Sequence, residues 1–83
     1  MALQTDDIMV NNDDWNEIPL LDGGSFVEIA QVRDKALIKV GNNSNTKGIM
    51  LDIGDNIKAP ESIYIKRYYT NEDLIVTVIR DKS

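Results

Sequence analysis

The segment LIVTVIR, residues 74–80, constrains the fold more than any other part of the sequence. Successive side chains of an extended strand point to opposite sides, so Leu74, Val76 and Val78 share one face. Ile75 and Ile79 share the other face, and leaving either one in water forgoes about 1.5–3 kcal/mol of burial free energy. Either the N-terminal residues fold back to cover this second face or a second copy of the chain covers it, and we favour the second copy.

The size of the chain also favours self-association. A protein of 83 residues forms one small domain with a marginal core of its own. Small domains are commonly stabilised by disulfides, metals or oligomerisation. The sequence has no Cys and no His, which removes disulfides and the usual zinc ligands. We therefore expect a homo-oligomer that has no cofactor and no metal.

Short strands separated by turn residues account for the chain after Trp15. Seven segments qualify: 15–21, 25–32, 36–40, 49–53, 57–59, 63–69 and 74–80. Their spacing is typical of a small sandwich or barrel, and no window shows a sustained helical period. The sequence predicts a single all-β domain over residues 15–83, jelly-roll or Greek-key like, in which the second and third segments form a hairpin.

Charge separates the N-terminal end from the rest of the chain. Residues 1–28 contain seven acidic and no basic residues, whereas residues 29–83 contain nine basic and seven acidic ones. We interpret residues 1–14 as an acidic arm that is flexible or docks on a basic surface of a partner. We expect no membrane binding, because no segment approaches the roughly 20 apolar residues of a membrane span and no signal peptide is apparent.

Catalytic chemistry has few candidate residues. Without His or Cys the chain lacks the commonest general base and the thiolate nucleophile. No Ser lies in a G-x-S-x-G pattern. Asp52 and Asp55 fit a turn between strands and miss the spacing of a calcium loop. The sequence therefore predicts a protein that is not an enzyme.

The segment YIKRYY, residues 64–69, is the main candidate for a binding surface. On a strand Tyr64, Lys66 and Tyr68 share one face, and such interleaving is typical of surfaces that stack single-stranded nucleic acid. A subunit contact is the alternative, because Tyr is enriched at protein interfaces. The net charge of −5 favours the subunit contact over nucleic acid. The predicted interface residues are Trp15, Tyr64, Tyr68, Ile75 and Ile79.

The runs WNEIPLLDGGSFVEI and KGIMLDIGDNIKAPESIYIKRYYTNEDLIVTVIRD resemble the small all-β accessory proteins encoded among the virion genes of tailed bacteriophages. The features in common are an early Trp with an IPL-type strand, a G-x-x-L-x-x-G-D turn, and closing S-I-Y-I-K and V-T-V segments. The resemblance covers about residues 15–81. It implies a non-enzymatic capsid decoration protein or short tail or fibre component, commonly trimeric, made in the host cytoplasm and carried in the virion.

Two functions therefore remain open. The favoured one is a structural virion protein that forms a homo-oligomer, with three copies as the guess, and binds another virion protein through a basic surface of that partner. The alternative is a soluble ligand-binding module for carbohydrate or single-stranded nucleic acid. This module would use the Asn-rich loop at 41–48 or the tyrosines of residues 64–69.

Overall fold

A computed structural model describes residues 2–41 and 48–82. The described part of the chain is built from eight strands and contains no helix. The strands are β1 (Ala2–Val10), β2 (Asn16–Ile18), β3 (Val27–Val32), β4 (Ala36–Val40), β5 (Ile49–Leu51), β6 (Ile57–Ala59), β7 (Ile63–Arg67) and β8 (Leu74–Lys82). The predicted all-β class is confirmed.

The strands form two antiparallel sheets that pack against each other as a sandwich. The first sheet has the order β1-β8-β3-β6, and the second has the order β2-β7-β4-β5. Among the described strands, β4 and β5 are the one pair of chain neighbours that also pair in a sheet. This alternation between sheets is the jelly-roll arrangement of an eight-stranded sandwich.

A single apolar core lies between the two sheets. Leu74, Val76 and Val78 point inward from β8 and meet Ile63 and Ile65 of β7, as the sequence predicts. Every other buried apolar residue belongs to the same cluster, which is completed by Val10, Ile18, Val27, Ile29, Val32, Ala36, Ile38, Leu51 and Ala59. The alternation of apolar residues along each strand is therefore what defines the inner faces.

The predicted hairpin between residues 25–32 and 36–40 is wrong. β3 pairs with β6 and β8, whereas β4 pairs with β5 and β7 in the opposite sheet. The three residues between them cross from one sheet to the other. The Arg33 N–H donates to the Ile75 carbonyl of the first sheet, and the Lys35 carbonyl accepts from the Tyr68 N–H at the end of β7. A short polar connection suits either path, so the local sequence did not distinguish them.

The N-terminal residues differ most from the sequence expectation. We expected residues 1–14 to be an acidic arm, but Ala2–Val10 form β1 and pair with β8 at nine positions, from Ala2 opposite Lys82 to Val10 opposite Leu74. Val10 is buried and Ile8 packs against the core. The polar residues Gln4 and Asp6 occupy the inward side of the same strand, which obscured its apolar alternation. Part of the acidic segment is therefore an edge strand of the sandwich.

Candidate interaction surfaces

The outer surface of the second sheet gathers aromatic and basic side chains. We call Trp15, Lys39, Tyr64 and Lys66 the aromatic–lysine face. Lys39 Nζ lies 4.7 Å from the centre of the Trp15 ring and 5.8 Å from that of Tyr64, and Lys66 Nζ lies 5.8 Å from the Trp15 ring. These distances are within the range of cation–π attraction. The structure thus brings Trp15 and Tyr64, two of the predicted interface residues, to one surface.

Trp15 reaches far across this sheet. It precedes the edge strand β2, yet its ring extends to Gly48 just before β5, where a Cβ would lie only 2.9 Å from Trp15 Cη2. The Leu37 side chain lies beside the same point. Trp15 is half-buried as a result. Part of its role is therefore to cover the outer side of its own sheet, and Gly48 leaves the space that the ring needs.

Among the described residues, the two lysines of the aromatic–lysine face have no acidic partner. Within residues 2–41 and 48–82 the ion pairs join Arg67 to Asp13 and Asp73 and Arg80 to Asp6, and none includes Lys39 or Lys66.

Glu17 is the carboxylate beside this surface, and it accepts a hydrogen bond of 3.2 Å from the Tyr64 hydroxyl. Burial, and then Glu17, raise the pKa of Tyr64. The aromatic–lysine face therefore presents two ammonium groups that could attract an anionic ligand.

Tyr68 does not join Tyr64 on this surface. The strand β7 ends at Arg67, so the alternation that grouped Tyr68 with Tyr64 does not extend that far. Tyr68 instead packs edge-on against Tyr69, with ring centres 5.1 Å apart, and both rings are exposed. This tyrosine pair is a separate exposed aromatic patch beyond the end of the strand.

Ile75 and Ile79 lie on the outer side of the first sheet, away from the other predicted interface residues. We call Leu3, Met9, Ile75 and Ile79 the apolar outer face. Met9 stands directly opposite Ile75 in the β1–β8 pair, and Thr5 stands opposite Ile79. Ile75 and Ile79 are partly exposed, whereas Leu3 and Met9 are 64% and 56% exposed. Sequence reasoning missed Leu3 and Met9, because it did not place residues 2–10 in a strand.

The outer side of β8, which carries Ile75 and Ile79, is covered only in part. The N-terminal residues do fold back, as in one of the two alternatives, but they lie beside β8 and shield Ile75 and Ile79 only laterally. Between the two Ile side chains, the Thr77 hydroxyl donates a 2.7 Å hydrogen bond to Asp7 of β1. Cover by a second copy stays a prediction.

Arg80 and Asp6 hold the edge strand from the inner side. Arg80 Nη2 donates to Asp6 at 3.0 Å, and Nη1 donates to the Pro19 carbonyl at 3.1 Å. Hydrogen bonds from Gln4 and from Arg80 lower the pKa of Asp6. Arg80 therefore joins the N-terminal strand to the segment that follows β2, and no local pattern in the sequence predicts this link.

Asp81 is the buried carboxylate of the described chain, with 3% of its surface exposed. It accepts hydrogen bonds from the Ser25 N–H at 2.7 Å, the Ser25 hydroxyl at 2.6 Å and the Phe26 N–H at 3.0 Å. The hydroxyl bond of Ser25 is the largest of the effects that lower the pKa of Asp81. The carboxylate thus fixes the entry to β3 against the end of β8.

Within residues 2–41 and 48–82, no three acidic side chains come together in a way that could hold a metal ion. An open cleft of about 430 Å³ at one end of the sandwich is lined by Gln4, Leu20, Leu21, Asp22 and Lys82. No helix in the described ranges could cross a membrane. Most of the Asn-rich loop, residues 42–47, lies outside the described residues, so its role in recognition stays a prediction.

Comparison with known proteins adds no relative. No family model, no curated protein and no solved structure matches the chain.

Proposed function

We propose that this chain is a non-enzymatic structural protein that acts by homo-oligomeric protein–protein adhesion, in the virion role that its bacteriophage resemblance implies. The observation that carries the proposal is the apolar outer face beside the open edge of β1. Leu3 and Met9 keep more than half of their surface exposed, and Met9 stands directly opposite the partly exposed Ile75. Exposed apolar groups that adjoin on one face are typical of contact surfaces.

The edge of the first sheet supports the same function. β1 lies at the end of the strand order and is nine residues long, so one side of its backbone has no strand beside it in the described chain. Long open edges favour pairing with another chain. The jelly-roll fold is compatible with this role, because it occurs in viral capsid proteins as well as in lectins. Fold alone does not select between the two.

The acidic residues contribute less to adhesion than the sequence suggested. Asp6 pairs with Arg80, Asp7 accepts from Thr77, and Asp13 pairs with Arg67. The charges of Asp6 and Asp13 are therefore paired within the molecule, whereas Asp7 is held by a neutral hydroxyl. A partner protein with a basic surface stays part of the proposal, but the primary contact is apolar and joins copies of this chain, for which the resemblance implies a trimer.

Sedimentation equilibrium of the pure protein tests the adhesion. We expect a mass above that of one chain at micromolar concentration, and we expect Ile75→Thr with Ile79→Thr to shift the protein toward the monomer. The matched control is Ile53→Thr, because Ile53 is 63% exposed but lies in the turn after β5. A monomer at all concentrations would remove the proposal, and an unchanged mass in the double variant would move the contact away from Ile75 and Ile79, to the edge of β1 or to another surface.

A ligand-binding function is the second candidate. It rests on Lys39 and Lys66, which have no acidic partner among the described residues and lie over Trp15. Because Trp15 is the one Trp of the sequence, its fluorescence reports binding directly. Labelled single-stranded oligonucleotides and a glycan array should give no signal if the protein is purely structural. A salt-sensitive signal that disappears in Lys39→Ala with Lys66→Ala would establish this second function.

A further inference from the structure

We propose that two copies of the chain pair through β1, antiparallel and about a two-fold axis at Asp6, so that their first sheets join into one continuous sheet. This inference rests on the proposed adhesive function and specifies its contact. The strand that pairs with the open edge of β1 is thus β1 of a second copy.

The backbone of β1 has the required free side. All nine of its residues pair with β8, and the strand order places no strand beyond it in the described chain. An edge of this kind presents N–H and C=O groups that an added strand can bind, as in other cases of strand addition. The opposite edge of the same sheet, β6, has only three residues and offers a much shorter ladder.

The side chains of β1 are complementary to themselves. Leu3, Thr5, Asp7 and Met9 point to the outer face, and Leu3 and Met9 lie three residues on either side of Asp6. When two copies of β1 overlap over their full length, Leu3 stands opposite Met9 of the partner copy, and Met9 stands opposite its Leu3. The two exposed large apolar residues of β1 thus form two direct cross-strand pairs. Such pairs stabilise a sheet.

Other registers are less favourable. A shift by one residue would place the outer face of one copy beside the inner face of the other, because side chains alternate along a strand. A shift by two residues in one direction places Leu3 opposite Asp7 of the partner copy. A shift by two residues in the other direction places Asp7 of one copy opposite Asp7 of the other. Full overlap is therefore the register that joins the apolar residues and separates the outer carboxylates.

The axis itself brings one Asp6 opposite the other. Like charges directly opposite each other destabilise a sheet. Here each Asp6 carboxylate is held at 3.0 Å by Arg80 of its own copy, so on the inner side the axis gathers two carboxylates and two guanidinium groups with no net charge. The apolar outer faces also become continuous, since Met9 adjoins Ile75 in its own sheet and Leu3 in the partner copy.

A contact of this symmetry closes with two copies. The same strand is used on both sides of the axis, so no free β1 edge is left for a third copy. The inference therefore replaces the expected trimer with a dimer as the basic unit of association.

Disulfide trapping tests the register, because the natural sequence has no Cys. Cα atoms of directly opposed residues lie about 4.5–5.5 Å apart, within disulfide reach. A mixture of Leu3→Cys and Met9→Cys proteins should cross-link mainly into mixed dimers, whereas each variant alone should cross-link slowly. The matched control is a mixture of Leu3→Cys with Ile53→Cys, which should give no preferred mixed product.

A charge exchange gives a second readout that needs no cross-link. Leu3→Lys and Met9→Glu should each raise the dissociation constant by about tenfold, since each change spoils two cross-strand pairs per dimer. The two changes in one chain should restore association, because Lys at position 3 then faces Glu at position 9 of the partner copy. Within one strand these positions are too far apart to compensate each other.

The outcomes separate this inference from the proposed function. Association without preferred mixed cross-linking and without rescue would overturn the β1 pairing and leave adhesion by another surface in place. A protein that is monomeric throughout would overturn both.

Discussion

Asp81 shows how a single buried carboxylate can organise a strand connection. Its three hydrogen bonds to Ser25 and Phe26 join residues that are 55 and 56 positions apart in the sequence. A carboxylate that accepts several hydrogen bonds favours its charged form, which agrees with the lowered pKa of this group. The same bonds hold the turn before β3, where the Gly24 N–H donates to the Leu21 carbonyl at 2.8 Å.

We expect Asp81→Asn to lower the melting temperature by several degrees. The Asn side chain keeps one acceptor oxygen but has no charge. Its NH2 group is a donor, and it would lie against the N–H groups and the hydroxyl that now donate to the carboxylate. Thermal unfolding followed by circular dichroism measures the effect. Asp14→Asn is the control, because Asp14 is exposed and should tolerate the change. Equal melting temperatures for the two variants would show that the Asp81 bonds add little.

The pKa values of Asp6 and Asp81 predict the acid sensitivity of the protein. Both are lowered from the ordinary value of 3.8. A group with a lowered pKa in the folded state stabilises that state fully above its unfolded pKa and loses this effect as the pH falls through the folded pKa.

We therefore expect these two groups to have little effect on the pH dependence of the melting temperature just above pH 4. Below pH 4 the melting temperature should fall steeply as the two carboxylates become protonated. The Asp81→Asn variant should show a shallower fall. A wild-type melting temperature that stays constant down to about pH 2 would contradict the assignment.

At the scale of single strands, the sequence predicts a strand correctly where an alternating apolar pattern lies between turn residues. The segments 36–40 and 57–59 coincide with β4 and β6, and the segment from Trp15 contracts to β2 because Pro19 has no N–H to donate. β1 was missed because Gln4 and Asp6 interrupt the apolar positions of its inner side. Arg80, distant in the sequence, makes Asp6 acceptable there.

Deletion of residues 1–10 tests whether β1 is integral to the domain. We expect loss of cooperative folding, because the deletion removes buried Val10 and opens the edge of the central strand β8. Heteronuclear NMR spectra of the truncated protein would show the loss directly.

A point variant separates this effect from the deletion itself. Val10→Asp should unfold the protein because it buries an unpaired charge, whereas Asn11→Asp should not, because Asn11 is exposed. A well-dispersed spectrum for the deletion variant would mean that residues 1–10 form a dispensable arm.

At the scale of the whole molecule, the sequence predicts which residues of a strand point inward, but it does not predict which strands lie side by side. Inward and outward positions of β7 and β8 followed from alternation, whereas the pairing of β8 with β1 and β3 depends on contacts between distant segments. The candidate surfaces show the same limit. Trp15 and Tyr64 lie on the outer side of the second sheet, whereas Ile75 and Ile79 lie on the outer side of the first sheet. The sequence alone did not show that these residues belong to two separate surfaces.

The shared core makes the sandwich one cooperative unit. Ile29 of the first sheet and Ile38 of the second belong to the same cluster and are 0% and 1% exposed. We expect Ile29→Ala and Ile38→Ala each to lower the free energy of unfolding by about 2–5 kcal/mol, a large fraction for a domain of this size. Urea denaturation should be followed both by Trp15 fluorescence, which senses the second sheet, and by far-ultraviolet circular dichroism, which senses both sheets.

The two signals should change together in the wild type and in each variant, because neither sheet can keep its inner face covered once the other has separated. Two transitions in the Ile29→Ala protein, with the fluorescence change at the higher urea concentration, would show that the second sheet persists alone. The aromatic–lysine face would then survive on an independent half of the sandwich.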